Sequence, residues 1–295
     1  MHTTAPSQSQ TARAIFYLLS AALLFSIMGI CVRYASLTVD YYTTVFFRNV
    51  VGMLIFIPML FQKGLGFFKT DKLWMHTWRS VIGLTSMYAF FYALAHLKLS
   101  NAMVFSYSSP IFIPLIAWLF LKEKITKAAI LAACIGLFGV LLVAKPDTGM
   151  LSVMSLVGLL ASFCSAMAFV TVRALTDTEP VERIVFYFCL IGSGISAIPA
   201  LWHWRGLHWH ELGLLIAAGL LANISQLCMS KAYSLAPASQ IGPVNYVAII
   251  FAGIWGYVFW HELPDRISLY GCSLILISML LCQLRIKSQK QLPTT

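Results

Sequence analysis

Long apolar segments follow one another along almost the whole chain, separated by short gaps that hold most of the Lys and Arg residues. An α-helix needs about 20 apolar residues to cross the hydrocarbon core of a bilayer. The pattern predicts an all-α integral membrane protein, since the period-2 alternation of membrane strands is missing from these segments. We expect ten transmembrane helices, at Ala14–Val32, Thr44–Phe61, His76–Ala95, Ala102–Leu121, Ala128–Ala144, Ser152–Val172, Ile184–Leu201, Leu212–Ser234, Ile241–Trp260 and Ile267–Leu284.

The composition also points to lipid as the solvent of this chain. Hydrophobic residues make up 60% of the 295 positions and charged residues 10%, whereas a soluble domain is about 25% charged. The net charge of +10 does not indicate nucleic-acid binding, because cations in gaps between apolar segments set membrane orientation. The seven cysteines form no C-x-x-C pair, so we interpret them as small buried hydrophobes and expect no metal site and no cofactor.

The distribution of cations predicts the orientation. Ten spans leave both ends of the chain on one side of the membrane. That side collects Arg13, Lys63, Lys69, Lys72, Lys122, Lys124, Lys127, Arg173, Arg183, Arg285, Lys287 and Lys290, against Arg33, Lys98, Lys145, Arg205 and Arg266 on the other. Because cytoplasmic loops carry the excess of Lys and Arg, we expect cytoplasmic tails at residues 1–13 and 286–295.

The chain repeats itself at a spacing of 139 or 140 positions. The matched pairs are Val32-Arg33 with Val172-Arg173, Tyr107 with Tyr246, and Lys122-Glu123 with His261-Glu262. The two halves, residues 14–145 and 152–285, each hold five predicted spans. An odd number of spans inserts the halves in opposite orientations, which is the inverted repeat of many secondary transporters.

Three cations lie within or at the ends of predicted spans, namely Arg48, Arg79 and Lys231. A charge inside the bilayer costs at least about 2.5–3.5 kcal/mol, and none of the three has an acid within two turns on its own helix. Each of them either snorkels or hydrogen-bonds between helices, or it contributes to a substrate site. As a set they favour anionic or carboxylate-bearing cargo.

Polar and aromatic side chains beside helix breaks complete the candidate site. A proline frees backbone carbonyls, and membrane depth tolerates this where a cavity or a neighbouring helix satisfies them. Packing kinks and packing aromatics remain the alternative interpretation. The candidates are Tyr107 before Pro110 and Pro114, Asn223 and Gln226 on one face of the eighth span, Asn245 and Tyr246 beside Gly242-Pro243, and Tyr88, Tyr92 and Trp255 as cavity walls.

We interpret the glycines within the spans and the glutamates at the span ends as structural residues. Gly136, Gly139 and Gly271 are spaced to let helices approach closely. They indicate packing within the chain or contacts in a homodimer, and homodimer formation stays open. Glu123 and Glu262 occupy matching ends of two spans, where we expect interfacial ion pairs or helix-end contacts instead of a proton relay.

An intramembrane enzyme, such as a lipid-modifying transferase, is the rival class of function. It requires a nucleophile–base pair or paired acids within the spans. The chain contains no H-E-x-x-H, no G-x-S-x-G and no nucleotide-binding G-x-x-x-x-G-K-[ST], so a non-enzymatic role with a small molecule as partner in the lipid bilayer is favoured.

Several motifs resemble those of one transporter family. They are Phe46-Phe47-Arg48, Trp78-Arg79-Ser80…Gly83, Phe91-Tyr92-Ala93-Leu94…Leu99-Ser100-Asn101-Ala102, Pro110…Pro114…Leu121-Lys122-Glu123, Lys231-Ala232-Tyr233…Ala236-Pro237-Ala238-Ser239 and Glu262. With them the chain resembles, over essentially its whole length, the EamA type of the drug/metabolite transporter superfamily. The second half departs from the first by having Tyr187-Phe188-Cys189 in place of Phe47-Arg48.

The resemblance implies ten helices in two inverted five-helix repeats. It implies a secondary transporter that moves a small metabolite, such as an amino acid or carboxylate, across the bacterial inner membrane by alternating access. The Phe-Arg and Arg-Ser-x-x-Gly patterns are also similar to the branch of S-adenosylmethionine uptake carriers. Uptake of S-adenosylmethionine or a nucleoside-like metabolite, and multidrug export, are therefore the alternatives within the family.

Overall fold

A computed structural model describes residues 8–96, 108–123, 125–144, 153–261 and 265–288, and every regular element in these ranges is helical. The α-helices are α1 (Gln8–Ala35), α2 (Tyr41–Ile55), α3 (Ile57–Lys63), α4 (Leu73–His96), α5 (Ser109–Leu121), α6 (Lys127–Ala144), α7 (Val153–Leu175), α8 (Val181–Trp202), α9 (Trp209–Leu235), α10 (Ala238–Ile241), α11 (Val247–Trp260) and α12 (Arg266–Ser288), with 3₁₀ turns at Leu65–Phe68 and Gly242–Tyr246. The all-α prediction is confirmed.

Six helical stretches in these ranges are long and apolar enough to cross a membrane: Ser9–Ala35, Tyr41–Lys63, Leu156–Leu175, Val181–Trp202, Trp209–Leu235 and Ala238–Trp260. Shorter apolar helices cover Ser109–Leu121, Lys127–Val143 and Arg266–Ser278, where the fourth, fifth and tenth spans are predicted. The third predicted span coincides with α4. The total of ten crossings remains a prediction.

The turns that follow α1 and α7 have the same form at positions 140 apart. Residues 36–40 join α1 to α2, and residues 176–180 join α7 to α8. Asp40 caps α2, because its carboxylate accepts hydrogen bonds from the Thr43 backbone at 2.8 Å and hydroxyl at 2.9 Å. Helices α5 and α11 are followed by Lys122 and His261, which both have a φ of 53°. The two matched sequence positions therefore cap their helices in the same left-handed backbone conformation.

The long helices pack in a defined set of pairs. Helix α1 lies along α9, and α4 lies along α7. Helix α2 contacts both α8 and α9, and α6 lies along α12. The side chains of α2, α4, α8 and α9 therefore meet in one region, where the arginines of α2 and α4 lie.

Close helix approach between α6 and α12 depends on glycine. A Cβ on Gly139 would lie 2.7 Å from the Gly271 carbonyl oxygen, and one on Gly271 would lie 2.6 Å from that of Gly139. The ring of Tyr246 packs directly against Gly136, where a Cβ would collide with it. The Tyr246 hydroxyl donates a hydrogen bond to the Ala133 carbonyl at 3.0 Å. The predicted small-residue contacts are thus packing contacts within the chain.

The predicted helix break beside Gly242-Pro243 is confirmed. The short helix α10 passes into the 3₁₀ turn Gly242–Tyr246 before α11 begins. The Glu123 carboxylate accepts hydrogen bonds from the Ser239 backbone at 3.2 Å and hydroxyl at 2.8 Å, and its other oxygen lies 3.5 Å from Arg173. Glu123 therefore makes the predicted ion pair and helix-end contact, whereas Glu262 lies outside the described residues.

Candidate functional site

Arg48 of α2 and Arg79 of α4, here called the arginine pair, both lie near the ring of Phe188. Arg79 is only 3% exposed. Its guanidinium carbon lies 3.6 Å from the centroid of the Phe188 ring, and its Nη2 donates to Oε1 of Gln226 at 2.9 Å. The ring and the amide thus hold the guanidinium in place, but neither neutralises its charge.

Two nitrogens of the Arg79 guanidinium have no hydrogen-bond partner in the described ranges. Its Nε and Nη1 are buried and make no hydrogen bond to any described residue. A guanidinium presents five N–H donors in a fixed fork, and the charged form cannot be relieved by losing its proton. Leaving such donors unsatisfied costs about 1–3 kcal/mol or more. A carboxylate would satisfy two of them at once, with bidentate geometry.

Arg48 is held by weaker contacts in the described structure. It is partly buried, and its Nη1 donates to the Met87 sulfur, which is a weak acceptor. Its guanidinium carbon lies 5.8 Å from the Phe188 ring and 5.9 Å from the Phe25 ring. Among the described residues, no ion pair within 4.0 Å includes Arg48 or Arg79. Within the part of the chain that the structure describes, the region therefore holds two cations and no paired counter-charge.

Asn223 of α9 connects the pair to the surrounding helices. Its Nδ2 donates to the Arg48 carbonyl oxygen at 3.2 Å and to that of Gly219 at 2.8 Å, and its Oδ1 accepts from the Cys189 thiol at 2.8 Å. Buried Asn49, which the sequence pattern did not suggest, lies next to Arg48 and donates to the Val45 carbonyl at 3.0 Å. This amide network sets the approach of α2, α8 and α9.

Gly52 is required for the position of Asn223. A Cβ built on Gly52 collides with the Asn223 side-chain amide. Gly52→Ala should therefore displace the amide and cost about 1–3 kcal/mol of folding free energy, as overpacking typically does. We expect a lower unfolding temperature in detergent. Gly29→Ala is the matched control, because a Cβ on this helical glycine meets nothing within 4 Å. Equal unfolding temperatures for the two variants would contradict the role assigned to Gly52.

The predicted aromatic walls lie partly beside the arginine pair. Tyr88 follows Met87 on α4, and its buried hydroxyl has no hydrogen-bond partner among the described residues. Its ring lies 6.1 Å from that of Tyr42, which stacks on His203 at 4.4 Å. Tyr92, one turn further along α4, is 39% exposed. Among the described residues, the Tyr88 hydroxyl is therefore a further buried polar group of α4 without a partner.

The other predicted site residues have different surroundings. Lys231 is exposed on α9, unlike buried Gln226. Asn245 donates to the Tyr233 hydroxyl and the Gly242 carbonyl, both at 3.0 Å, and Trp255 donates to the Ser26 hydroxyl at 2.8 Å. With Tyr246 bound to Ala133, these three side chains already have structural partners. Tyr107 lies outside the described residues.

A second polar cluster, here called the clasp, joins the loop before α4 to the start of α8. It consists of Phe67, Phe68, Thr70, Glu179, Arg183 and Tyr187. Glu179 accepts from the Thr70 hydroxyl and from Arg183, both at 2.6 Å. Arg183 donates through Nε to the Phe67 carbonyl at 2.8 Å and again through Nη2, and the Tyr187 hydroxyl donates to the Phe68 carbonyl at 2.9 Å. The clasp ties the two halves of the sequence together at this end.

The carboxylate of the clasp is held in its charged form. Burial raises the pKa of Glu179, but hydrogen bonds from Thr70 and Arg183 lower this pKa by more, so the net shift is downward. Sequence reasoning missed the clasp, because its contacts between the two halves join residues 109 to 119 positions apart. Most of its residues also lie in gaps between predicted spans, which look like ordinary loops. The only indication in the sequence was that Tyr187-Phe188-Cys189 does not match Phe47-Arg48 of the first half.

Comparisons with known proteins agree with this helical fold. The model of the EamA-like transporter family matches residues 12–145 and again 152–283. The chain is 32% identical over 261 residues to the pseudopaline exporter CntI of Pseudomonas aeruginosa, covering 88% of this chain and 91% of the relative. It is 25% identical to an S-adenosylmethionine uptake transporter of Rickettsia felis, covering 83% of each. A solved crystal structure with 19% identity superposes with a TM-score of 0.80 over 95% of this chain and 99% of the other, which shows the shared fold.

Proposed function

The chain belongs to the EamA-like transporter family of the drug/metabolite transporter superfamily, and from this premise we propose that it is a secondary transporter of a small metabolite. Cargo crosses the bacterial inner membrane by alternating access, and both termini lie in the cytoplasm. The relatives are named as transporters of small molecules, one an exporter and one an uptake transporter, so family membership supports transport and leaves the direction to experiment.

Alternating access requires two halves that exchange equivalent arrangements. The two matches to one family model and the shared turn after α1 and α7 support an inverted repeat of five helices in each half. Helix packing supports it as well. Exchanging the halves converts the pair α1–α9 into the pair α7–α4, and both pairs are extensive. The pairs α2–α8 and α6–α12 convert into themselves.

The arginine pair defines the class of cargo. The observation that carries the proposal is the buried Arg79 guanidinium, with Nε and Nη1 unpartnered and no acid in the described surroundings. An anion that enters removes both the unsatisfied donors and the uncompensated charge, so it binds strongly here. We therefore propose a substrate with at least one carboxylate, which binds Arg79 and lies within reach of Arg48, Asn223 and Gln226.

In this proposal the clasp closes the transport pathway at its cytoplasmic end. Its loop and the turn before α8 lie on the side predicted to be cytoplasmic, since Lys63, Lys69 and Lys72 precede α4 there. The hydrogen bonds of the clasp would have to break for the arginine pair to meet cytoplasmic solvent. Charge-assisted bonds of this kind contribute about 1.5–3 kcal/mol each, which is small enough for a transport cycle to break and reform.

Glu179→Gln should loosen the clasp. The variant removes the charge that holds Thr70 and Arg183, so we expect amide hydrogen exchange in residues 64–72 and 176–183 to become about tenfold faster or more. Asp177→Asn is the control, since exposed Asp177 pairs only with Arg173 in the described structure. Unchanged exchange in Glu179→Gln would mean that the clasp does not keep this end closed.

Acidification should have the same effect as Glu179→Gln, at a defined pH. A carboxylate whose pKa is lowered by folding contributes stability above its ordinary pKa, and this contribution is lost as the pH falls through the lowered value. As far as Glu179 is concerned, the clasp should hold at neutral pH, and protonation of this carboxylate should loosen it only below about pH 4. Hydrogen exchange of residues 64–72, corrected for the intrinsic pH dependence of exchange, checks this expectation.

A ligand screen tests the proposed cargo class. Purified protein is heated with single amino acids, dicarboxylates, S-adenosylmethionine, riboflavin and lipophilic cations, because a ligand that binds the native state raises the unfolding temperature by mass action. We expect hits among the compounds that carry a carboxylate. S-adenosylmethionine is the specific second candidate, supported by the named Rickettsia felis relative. Hits restricted to lipophilic cations without a carboxylate would contradict the role of the arginine pair.

A further inference from the structure

A histidine between the clasp and the arginine pair has no part in the proposed cargo site. His76 lies on α4 one turn before Arg79, and its side chain has no exposed surface. Neither ring nitrogen has a hydrogen-bond partner among the described residues. Because native structures satisfy most buried polar groups, an imidazole with two unsatisfied nitrogens calls for a functional explanation.

The surroundings of His76 connect it to the clasp. Its ring stacks on Tyr187, with centroids 4.6 Å apart and an interplanar angle of 29°. Its Nε2 lies 4.0 Å from Oε2 of Glu179, which is too long for a hydrogen bond. In the described part of the chain, the charged and titratable groups that face His76 are Glu179 from the turn after α7, Arg183 and Tyr187 from α8, and Arg79 from its own helix.

The closed clasp accommodates a neutral ring, and the described residues offer no hydrogen bond to a charged one. An imidazolium has two N–H donors, and no acceptor lies within hydrogen-bond distance of either nitrogen in the described structure. The nearest carboxylate is already bound by Thr70 and Arg183. A buried charge without hydrogen bonds is far more costly than a buried neutral group. Opening the clasp would admit water to the ring and release Glu179 from Thr70.

We propose that His76 is a proton-binding site whose occupancy is coupled to the opening of the clasp. When the clasp opens, the lone pair of a ring nitrogen accepts one proton from water on that side and forms the imidazolium. When the clasp closes, the same N–H bond breaks and the proton returns to water on that side, unless a counter-charge retains it. Histidine suits this role because its ordinary pKa of about 6.5 lies near physiological pH.

The proposed cargo supplies that counter-charge. Residues three apart on a helix lie about 5–6 Å from each other, so a carboxylate bound to Arg79 would also attract a proton on His76. Proton and anion then favour each other's binding, and linkage makes this effect reciprocal. This part of the inference rests on the proposed function. Proton binding by His76 does not rest on the proposed function, and it can be measured without any cargo.

The test is a histidine titration of the full-length protein in nanodiscs, with ¹³C-labelled histidine side chains observed by NMR from pH 8 to pH 5. The signal of His76 is identified by its loss in His76→Gln. In the unmodified protein with the clasp closed, we expect the chemical shift of this signal to change little over this pH range. In the double variant Thr70→Val with Tyr187→Phe, the His76 signal should titrate within about one pH unit of the ordinary histidine value of about 6.5.

Each result decides the proposal. The two substitutions remove only hydroxyl donors of the clasp, and Phe keeps the ring that stacks on His76. Thr70→Val alone serves if the double variant does not fold, and Asp177→Asn should leave the titration unchanged. A His76 signal that titrates identically in the unmodified protein and in the clasp variant would overturn the proposal, as would a signal that titrates in neither. Failure of the cargo screen would leave this titration unaffected.

Discussion

Arg79→Gln should weaken the binding of a carboxylate-bearing ligand by about 30-fold or more. Losing one partner of a buried, hydrogen-bonded charge pair costs about 2–5 kcal/mol, and each 1.4 kcal/mol corresponds to a factor of ten. Gln keeps a shorter polar side chain on α4, but it removes the charge and the fork of donors. Isothermal titration of the best carboxylate hit from the ligand screen measures the loss directly.

Two further variants isolate the geometry of the Arg79 site. Arg79→Lys keeps the charge and loses the bidentate fork, so it should recover only part of the affinity. Arg266→Gln makes the same substitution at an exposed position at the start of α12 and should bind the ligand normally. If Arg79→Gln binds the carboxylate hit as tightly as Arg266→Gln does, Arg79 has only a structural role and the cargo site lies elsewhere.

Gly139→Ala and Gly271→Ala should each destabilise the protein strongly. The added Cβ of one residue meets the carbonyl oxygen of the other at 2.7 or 2.6 Å, and backbone cannot rotate away as a flexible side chain can. Overpacking of a well-packed contact costs about 1–3 kcal/mol and occasionally more. We expect a clear fall in the unfolding temperature of the purified protein in detergent, or poor yield of folded protein.

The two glycines should also be energetically coupled. Once one Cβ has pushed α6 and α12 apart, the second meets less resistance, so the double variant should cost less than the sum of the single ones. Gly253→Ala and Gly194→Ala are matched controls on α11 and α8, where a Cβ meets nothing within 4 Å. They should be neutral or slightly stabilising, because Ala favours a helix over Gly by about 1 kcal/mol. A fall in unfolding temperature in the controls equal to that in Gly139→Ala would refute the packing explanation.

Helix positions followed closely from hydropathy. The predicted first span Ala14–Val32 lies inside Gln8–Ala35, and the seventh, Ile184–Leu201, lies inside Val181–Trp202. The observed helices are longer because polar residues at the ends, such as Arg33 and Glu182, continue the helix outside the apolar segment. Hydropathy detects the length that lipid requires, whereas backbone hydrogen bonding determines where the helix ends.

The candidate site was predicted only in part. Arg48, Arg79, Asn223 and Gln226 drew attention because polar groups in apolar spans are expensive, and they do lie together around α2, α4, α8 and α9. The same reasoning selected Tyr246 and Trp255, which make packing hydrogen bonds to Ala133 and Ser26. A polar tip on an aromatic ring needs a partner wherever it is buried, so the sequence pattern alone does not separate a binding residue from a packing one.

The sequence by itself determined that this protein is a membrane protein, that it is helical, and to which family it belongs. These properties depend on local hydropathy and on motifs that are continuous along the chain. Only the tertiary structure decided which polar groups are left unsatisfied, because a hydrogen bond such as that from Arg79 to Gln226 joins residues 147 positions apart. The clasp and the buried ring of His76 arise in the same way, since burial and pairing are properties of packed helices.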